Sequence, residues 1–90
     1  MKKLQKSDFL FFRTEFNRVV RELSELDPSY FEEYKWYQKE IFPNDLRTEV
    51  ELRRDYYKMA FKIEIRKNTK YDFLEYDEID EIAKSVVDFF

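Results

Sequence analysis

The densest group of side chains that could do chemistry lies near the C-terminal end of the sequence. It consists of six carboxylates, Asp72, Glu75, Asp77, Glu78, Asp80 and Glu81. The run does not fit an EF-hand calcium loop, because the turn-making glycine is missing and Ile79 interrupts the ligand spacing. Acidic residues also stabilise the start of a helix through its dipole, but this run holds more of them than that needs. We therefore predict an acidic docking patch for a protein partner, or a surface that mimics the charge of a nucleic acid; the alternative is that the run only stabilises the last helix.

The opposite charge is concentrated just before this run. Residues 46–70 carry eight basic and four acidic side chains, whereas residues 71–90 carry one and seven. Basic side chains with nearby aromatic rings can bind a nucleic-acid strand through its phosphates and bases. A nucleic-acid site is therefore the alternative prediction, with the residues Arg54, Lys58, Lys62, Arg66, Lys67 and Lys70.

The composition lacks several of the residue types that enzymes use most often for catalysis. The 90 residues include no His, no Cys and no Gly, which excludes the commonest general base, the thiol nucleophile and glycine-rich phosphate loops. We predict a protein that is not an enzyme, with no catalytic residue, no cofactor and no metal site. The absence of cysteine fits a reducing compartment. No apolar run is long enough for a membrane span, and the start lacks the apolar segment of a signal peptide, so we expect a cytoplasmic protein.

Three further residues are candidates for contacts with another protein. Trp36 lies off the predicted apolar stripe of its helix, and tryptophan is enriched among the residues that dominate binding energy. Leu10 and Phe11 lie outside the stripe of the first predicted helix. Another part of the chain could cover them, or they could form the contact of a homodimer.

The elements that must position these groups include one stretch of strict alternation. Over positions 57–66 the apolar residues occur at every second position, as Tyr57, Met59, Phe61, Ile63 and Ile65. Period two predicts a half-buried strand. A similar alternation over 48–52 predicts its partner, and residues 71–76 a third strand. A helix from Asn44 through Phe61 is the competing interpretation.

Charge selects one register for the hairpin of the first two strands. Pairing Arg47 with Glu64 brings opposite charges together across the strands, and so does pairing Glu49 with Lys62. Residues 54–57 then form a four-residue loop.

Helices complete the prediction. The first runs from Ser7 or Asp8 to Leu26, and its apolar stripe is Phe9, Phe12, Phe16, Val19, Val20, Leu23 and Leu26. The second begins at Asp27-Pro28 and ends before Pro43, and its stripe is Tyr30, Tyr34, Tyr37 and Ile41. The last is capped by Asp77, and its stripe is Ile79, Ile82, Ala83, Val86, Val87, Phe89 and Phe90.

The predicted fold class is therefore α+β, with one domain over residues 1–90. The order is α-α-β-β-β-α, and helices cover one face of a three-stranded antiparallel sheet. We expect a common core of Phe16, Tyr34, Phe61, Ile63 and Val86.

These features favour binding over catalysis. We expect a non-enzymatic protein-binding domain that inhibits or regulates a cytosolic protein machine, of the kind that viruses encode against host defence. The alternative is a nucleic-acid-binding regulator that uses the basic face of the sheet.

Overall fold

The computed structural model describes residues 4–88, which form four α-helices and one short 3-10 turn. The helices are α1 (Lys6–Glu25), α2 (Ser29–Ile41), α3 (Glu49–Lys67) and α4 (Tyr76–Asp88), and the turn is Thr69–Tyr71. No residue within 4–88 lies in a strand. The predicted α+β class and its three-stranded antiparallel sheet are therefore wrong.

The alternation that suggested a strand belongs to α3. Successive helical residues advance by about 100°, so residues two apart point to nearly opposite sides. Phe61 and Ile65 lie on one side of α3, and Met59 and Ile63 lie on the other. A helix with apolar residues on both sides thus has the same sequence pattern as a strand with one apolar face. Phe61 is fully buried, whereas Ile63 is 47% exposed.

The predicted hairpin and its register are wrong for the same reason. The proposed loop, residues 54–57, is helical. Arg47 does not face Glu64, since its guanidinium binds Asp45 and Asp55. The competing interpretation, a helix through this region, is the correct one, and that helix continues to Lys67. Residues 71–76, the predicted third strand, form the end of the 3-10 turn and the approach to α4.

A local signal at the start of α3 favours the helix. Thr48 and Glu51 have the spacing of a capping box. Thr48 Oγ1 accepts a hydrogen bond from the backbone N–H of Glu51 at 3.2 Å, and its hydroxyl donates to the Glu51 carboxylate at 3.1 Å. Such a cap stabilises a helix start by about 1 kcal/mol.

The boundaries of the other helices follow the sequence closely. The predicted stripe of α4 is confirmed over the described residues, since Ile79, Ile82, Ala83, Val86 and Val87 are buried. In α1, Phe12, Phe16 and Val19 are buried as predicted, whereas Phe9 and Leu26 are exposed. α1 begins at Lys6, and Asp8 lies in its first turn rather than at its cap. The tyrosine stripe predicted for α2 is wrong, because Phe31 is the buried residue of that helix. α4 starts at Tyr76, one residue before the predicted cap. Phe89 and Phe90 lie outside the described residues.

The main core lies between α1, α3 and α4, whereas α2 packs against α3 alone among the described elements. Phe16, Phe61 and Val86 are buried in that core, which confirms three of the five predicted core residues. The other two are wrong. Tyr34 is half-buried against Tyr56, with ring centroids 5.1 Å apart, and Ile63 is exposed.

Candidate protein-binding surface

α2 covers the outer side of α3, the side away from the main core, over its first half only. The ring of Phe31 packs against Tyr56 with centroids 5.6 Å apart, and Lys35 lies 3.3 Å from Glu49. Because the later residue of α2 meets the earlier residue of α3, the two helices run antiparallel. α2 begins beside Tyr56 and runs back toward the start of α3.

The outer side of α3 is uncovered beyond Tyr56. Met59 and Ile63 follow on the same side and are 44% and 47% exposed. Arg66 and Lys67, one turn further on, are exposed and form no ion pair with any residue in 4–88, although the Arg66 guanidinium lies over the ring of Tyr76, 6.0 Å from its centroid. Met59, Ile63, Arg66 and Lys67 are called the outer patch below. It combines an apolar centre with an unneutralised positive end.

The side of α2 that faces away from α3 carries Trp36, the predicted anchor residue. Trp36 is 62% exposed. Glu33 and Glu40, three residues before and four residues after it, lie on the same side of the helix. Both are exposed, and neither is ion-paired within the described part of the chain. Glu33, Trp36 and Glu40 are called the α2 ridge below.

A third apolar area lies where α2 ends. Tyr37, Ile41, Phe42 and Leu46 are all exposed, and Leu46 is 94% exposed. Ile41 and Phe42 line an open depression of about 530 Å³ together with the following loop. These four residues are called the linker surface below. Exposed apolar residues grouped in this way are typical of protein-binding sites.

The loop behind the linker surface is held by polar contacts of Arg47. Its guanidinium binds Asp45 and Asp55, and it also donates to the side-chain oxygen of Gln38 at 3.2 Å. Arg47 in turn lowers the pKa of Asp45 through these hydrogen bonds. The contacts tie the loop to both α2 and α3, so the apolar residues beside it are displayed in a fixed position.

The acidic run lies at the start of α4 and is mostly exposed. Asp80 is the exception, since it binds Lys62 at 2.9 Å and Lys84 at 3.4 Å. The hydrogen bond from Lys62 lowers the pKa of Asp80. Glu78 accepts from the backbone N–H of Glu75 at 3.0 Å, as the acidic partner of a helix cap does. No group of side chains within 4–88 has the arrangement of a metal site.

Trp36 and the acidic run do not form one surface. Lys62, near the end of α3, contacts the start of α4, whereas α2 packs against the start of α3 and does not contact α4. The acidic docking patch therefore stays a prediction that is separate from Trp36.

Four of the six predicted nucleic-acid-binding residues form a row along α3. Arg54, Lys58, Lys62 and Arg66 are spaced four apart, which places them along one side of the helix. Acidic neighbours neutralise part of this row. Lys62 binds Asp80, and Lys58 lies 3.9 Å from Asp55. Lys70, beyond the row, lies 3.5 Å from Asp8.

The two residues predicted for a homodimer contact have different surroundings. Phe11 is half-buried and stacks on Tyr71 with ring centroids 5.8 Å apart. Leu10 is exposed. A dimer through both residues stays a prediction, but Phe11 already has a partner within the chain.

One buried polar contact, between Asp8 and Tyr71, was not predicted from the sequence. Asp8 accepts from the Tyr71 hydroxyl at 2.8 Å and from the backbone N–H of Gln5 at 2.7 Å. The bond from Gln5, and then that from Tyr71, lowers the pKa of Asp8. One signal was present: Asp8 stands four residues before Phe12, on the buried side of α1.

No helix within 4–88 combines the length and the apolar character that crossing a bilayer requires. Comparison with protein-family models, with curated proteins and with solved structures finds no match for this chain.

Proposed function

We propose that this chain is a protein-binding domain without a catalytic step, which inhibits or regulates a cytosolic protein machine. One observation carries the proposal. The linker surface exposes Tyr37 and Ile41 at the end of α2 and Phe42 and Leu46 on the loop that Arg47 holds in place; of these residues, Ile41 and Phe42 line a depression. Exposure of large apolar side chains to water is unfavourable in free energy, and a partner that covers them removes this unfavourable contribution.

The chemistry of this surface indicates an apolar contact on the partner. Ile41 and Phe42 offer side chains that can enter a pocket or receive a side chain into the depression. A preformed loop loses little conformational entropy on binding, which favours affinity. A small domain that acts by binding another protein needs no catalytic residue. The absence of His and Cys from the sequence agrees with a binding role.

Affinity capture from the source cell, quantified by mass spectrometry, tests the proposal. A double variant, Phe42→Asp with Leu46→Asp, places two charges on the proposed contact. We expect it to reduce the captured partner by about tenfold or more. Leu10→Asp is the matched control, because it makes the same change at an exposed residue of α1. Equal capture by wild type and double variant would contradict the proposal.

The acidic run is tested in the same assay as a second contact. Charge reversal by Glu78→Lys with Glu81→Lys leaves the linker surface intact, and both side chains are exposed. Loss of the partner with this variant supports docking through the run. Unchanged capture would restrict the role of the run to stabilising α4 through its dipole.

The alternative is a nucleic-acid-binding regulator. Its support is the row of basic residues along α3, with Arg66 and Lys67 at its unneutralised end. It ranks second because Asp55 and Asp80 already neutralise Lys58 and Lys62. Retention on a DNA or heparin resin with strong salt dependence, abolished by Arg66→Glu with Lys67→Glu, would favour this alternative.

A further inference from the structure

The outer patch of α3 and the ridge of α2 are complementary to each other. The patch offers the apolar side chains Met59 and Ile63 beside a positive end. The ridge offers Trp36 between two glutamates that form no ion pair within 4–88. An aromatic residue with acidic neighbours suits an exposed apolar surface with basic neighbours, because burial and charge then act in the same direction.

Within one chain these two surfaces cannot meet. α2 already lies on α3 with Phe31 and Tyr34 facing inward, and Trp36 points away from that contact. The outer patch begins just beyond Tyr56, where the N-terminal end of α2 lies and its cover of α3 stops. The ridge of one copy can therefore reach only the patch of another copy.

A two-fold axis brings both pairs of surfaces together at once. If the α3 helices of two copies face each other antiparallel, the first half of each lies opposite the second half of the other. α2 covers the first half, so it then lies between its own α3 and the open half of the partner's α3. With the axis beside Tyr56, Trp36 falls opposite Ile63 of the second copy, and Glu40 falls opposite Lys67. The two α2 helices then meet at their N-terminal ends and together fill the space between the two α3 helices.

We infer that two copies of this chain form a two-fold dimer in which the α2 ridge of each covers the outer patch of the other. The contact is isologous, so it closes on itself and leaves no free ridge or patch. This chain has a total accessible surface of 6945 Å². A stable interface of ordinary size buries about 800 Å² of the surface of each partner. The dimer is argued from the α2 ridge and the outer patch and not from the linker surface, so it does not rest on the proposed function, and it assigns Trp36 to the second copy.

Charge reversal on either side tests the dimer by sedimentation velocity. The ridge variant is Glu33→Lys with Glu40→Lys, and the patch variant is Arg66→Glu with Lys67→Glu. All four residues are exposed, so the fold should persist, which circular dichroism can check. We expect wild type to sediment as a dimer and each variant to dissociate at least about tenfold more readily. Trp36→Ala should weaken the dimer about 30-fold or more.

Mixing the two variants is the decisive step. In the mixed pair, the lysine ridge of one variant faces the glutamate patch of the other, and the second contact keeps the native glutamate ridge and basic patch. Both contacts are then attractive, so the equimolar mixture should recover a heterodimer that native mass spectrometry resolves from either homodimer. A monomeric wild type would overturn the inference and leave the patch to a foreign acidic helix. A mixture that stays monomeric would also overturn it. Leu10→Asp is the control that should remain dimeric, and its dissociation would place the contact on α1 instead.

Discussion

The hydroxyl of Tyr71 donates a hydrogen bond to a carboxylate oxygen of Asp8, which lies 63 positions earlier in the sequence. Both side chains are buried, and the Tyr71 ring also packs against Phe12 with centroids 4.8 Å apart. The contact joins the start of α1 to the turn that precedes α4. It therefore helps to close the main core at the end remote from α2.

Replacing Tyr71 by Phe should destabilise the fold, because the ring remains while the buried carboxylate loses a donor. We expect the free energy of unfolding to fall by about 1–3 kcal/mol, measured by urea denaturation. Tyr37→Phe is the control, since it removes the same hydroxyl from an exposed ring and should change stability by less than about 0.5 kcal/mol. Equal effects of the two substitutions would show that the buried hydrogen bond contributes nothing.

Stability should also fall at high pH through Tyr71. Burial, and then the hydrogen bond to Asp8, raises the pKa of Tyr71 from 10.0 to about 12. The folded state thus disfavours the phenolate, so this contribution is fully present below pH 10.0 and is lost as the pH rises toward about 12. Urea denaturation across that window should show a steeper decline for wild type than for Tyr71→Phe. Parallel curves would contradict the prediction.

At low pH the same contact acts in the opposite direction. The pKa of Asp8 is lowered from 3.8, so its contribution is present above that value and is lost as the pH falls through the folded pKa. Asp45 and Asp80 also have lowered pKa values, because of Arg47 and Lys62 respectively. We therefore expect Asp8→Asn to flatten only part of the acid transition in the same denaturation series.

The two apolar sides of α3 should differ in their response to truncation. Phe61 is fully buried, so Phe61→Ala should lower the free energy of unfolding by about 3–5 kcal/mol. Ile63→Ala should cost less than about 1 kcal/mol in the monomer, because the side chain is already half in water. A strand with Phe61 and Ile63 on one buried face would make both substitutions costly. Chemical denaturation of the two variants thus separates the helix from the rejected strand.

Some of this architecture could be predicted from the sequence because it depends on local chemistry. Pro28 and Pro43 bound α2, and the three-four spacing of Phe12, Phe16 and Val19 marks the buried side of α1. Phe16, Phe61 and Val86 were identified as core residues for a related reason, since large apolar side chains at regular spacing are seldom exposed together.

The same kind of periodicity could not show that residues 49–67 form a helix rather than strands. Its apolar residues lie on two opposite sides, because the main core contacts one side and α2 contacts the other. A helix between two layers has no single apolar stripe, and residues two apart then alternate as they do in a strand. The Thr48–Glu51 cap was the one local feature that indicated the helix directly.

The sequence by itself determined which side chains are available: there is no His and no Cys, there is an acidic run and a basic row, and Trp36 lies off the apolar stripe of its helix. Only the tertiary structure decided which of these residues come together. The N-terminal end of α2 lies beside Tyr56, which leaves Met59 and Ile63 uncovered, and the rotation of α2 buries Phe31 while Trp36 faces outward. The reason is physical. Which side of a helix is buried depends on the neighbour that packs against it, and no local spacing specifies that neighbour for a helix that is apolar on more than one side.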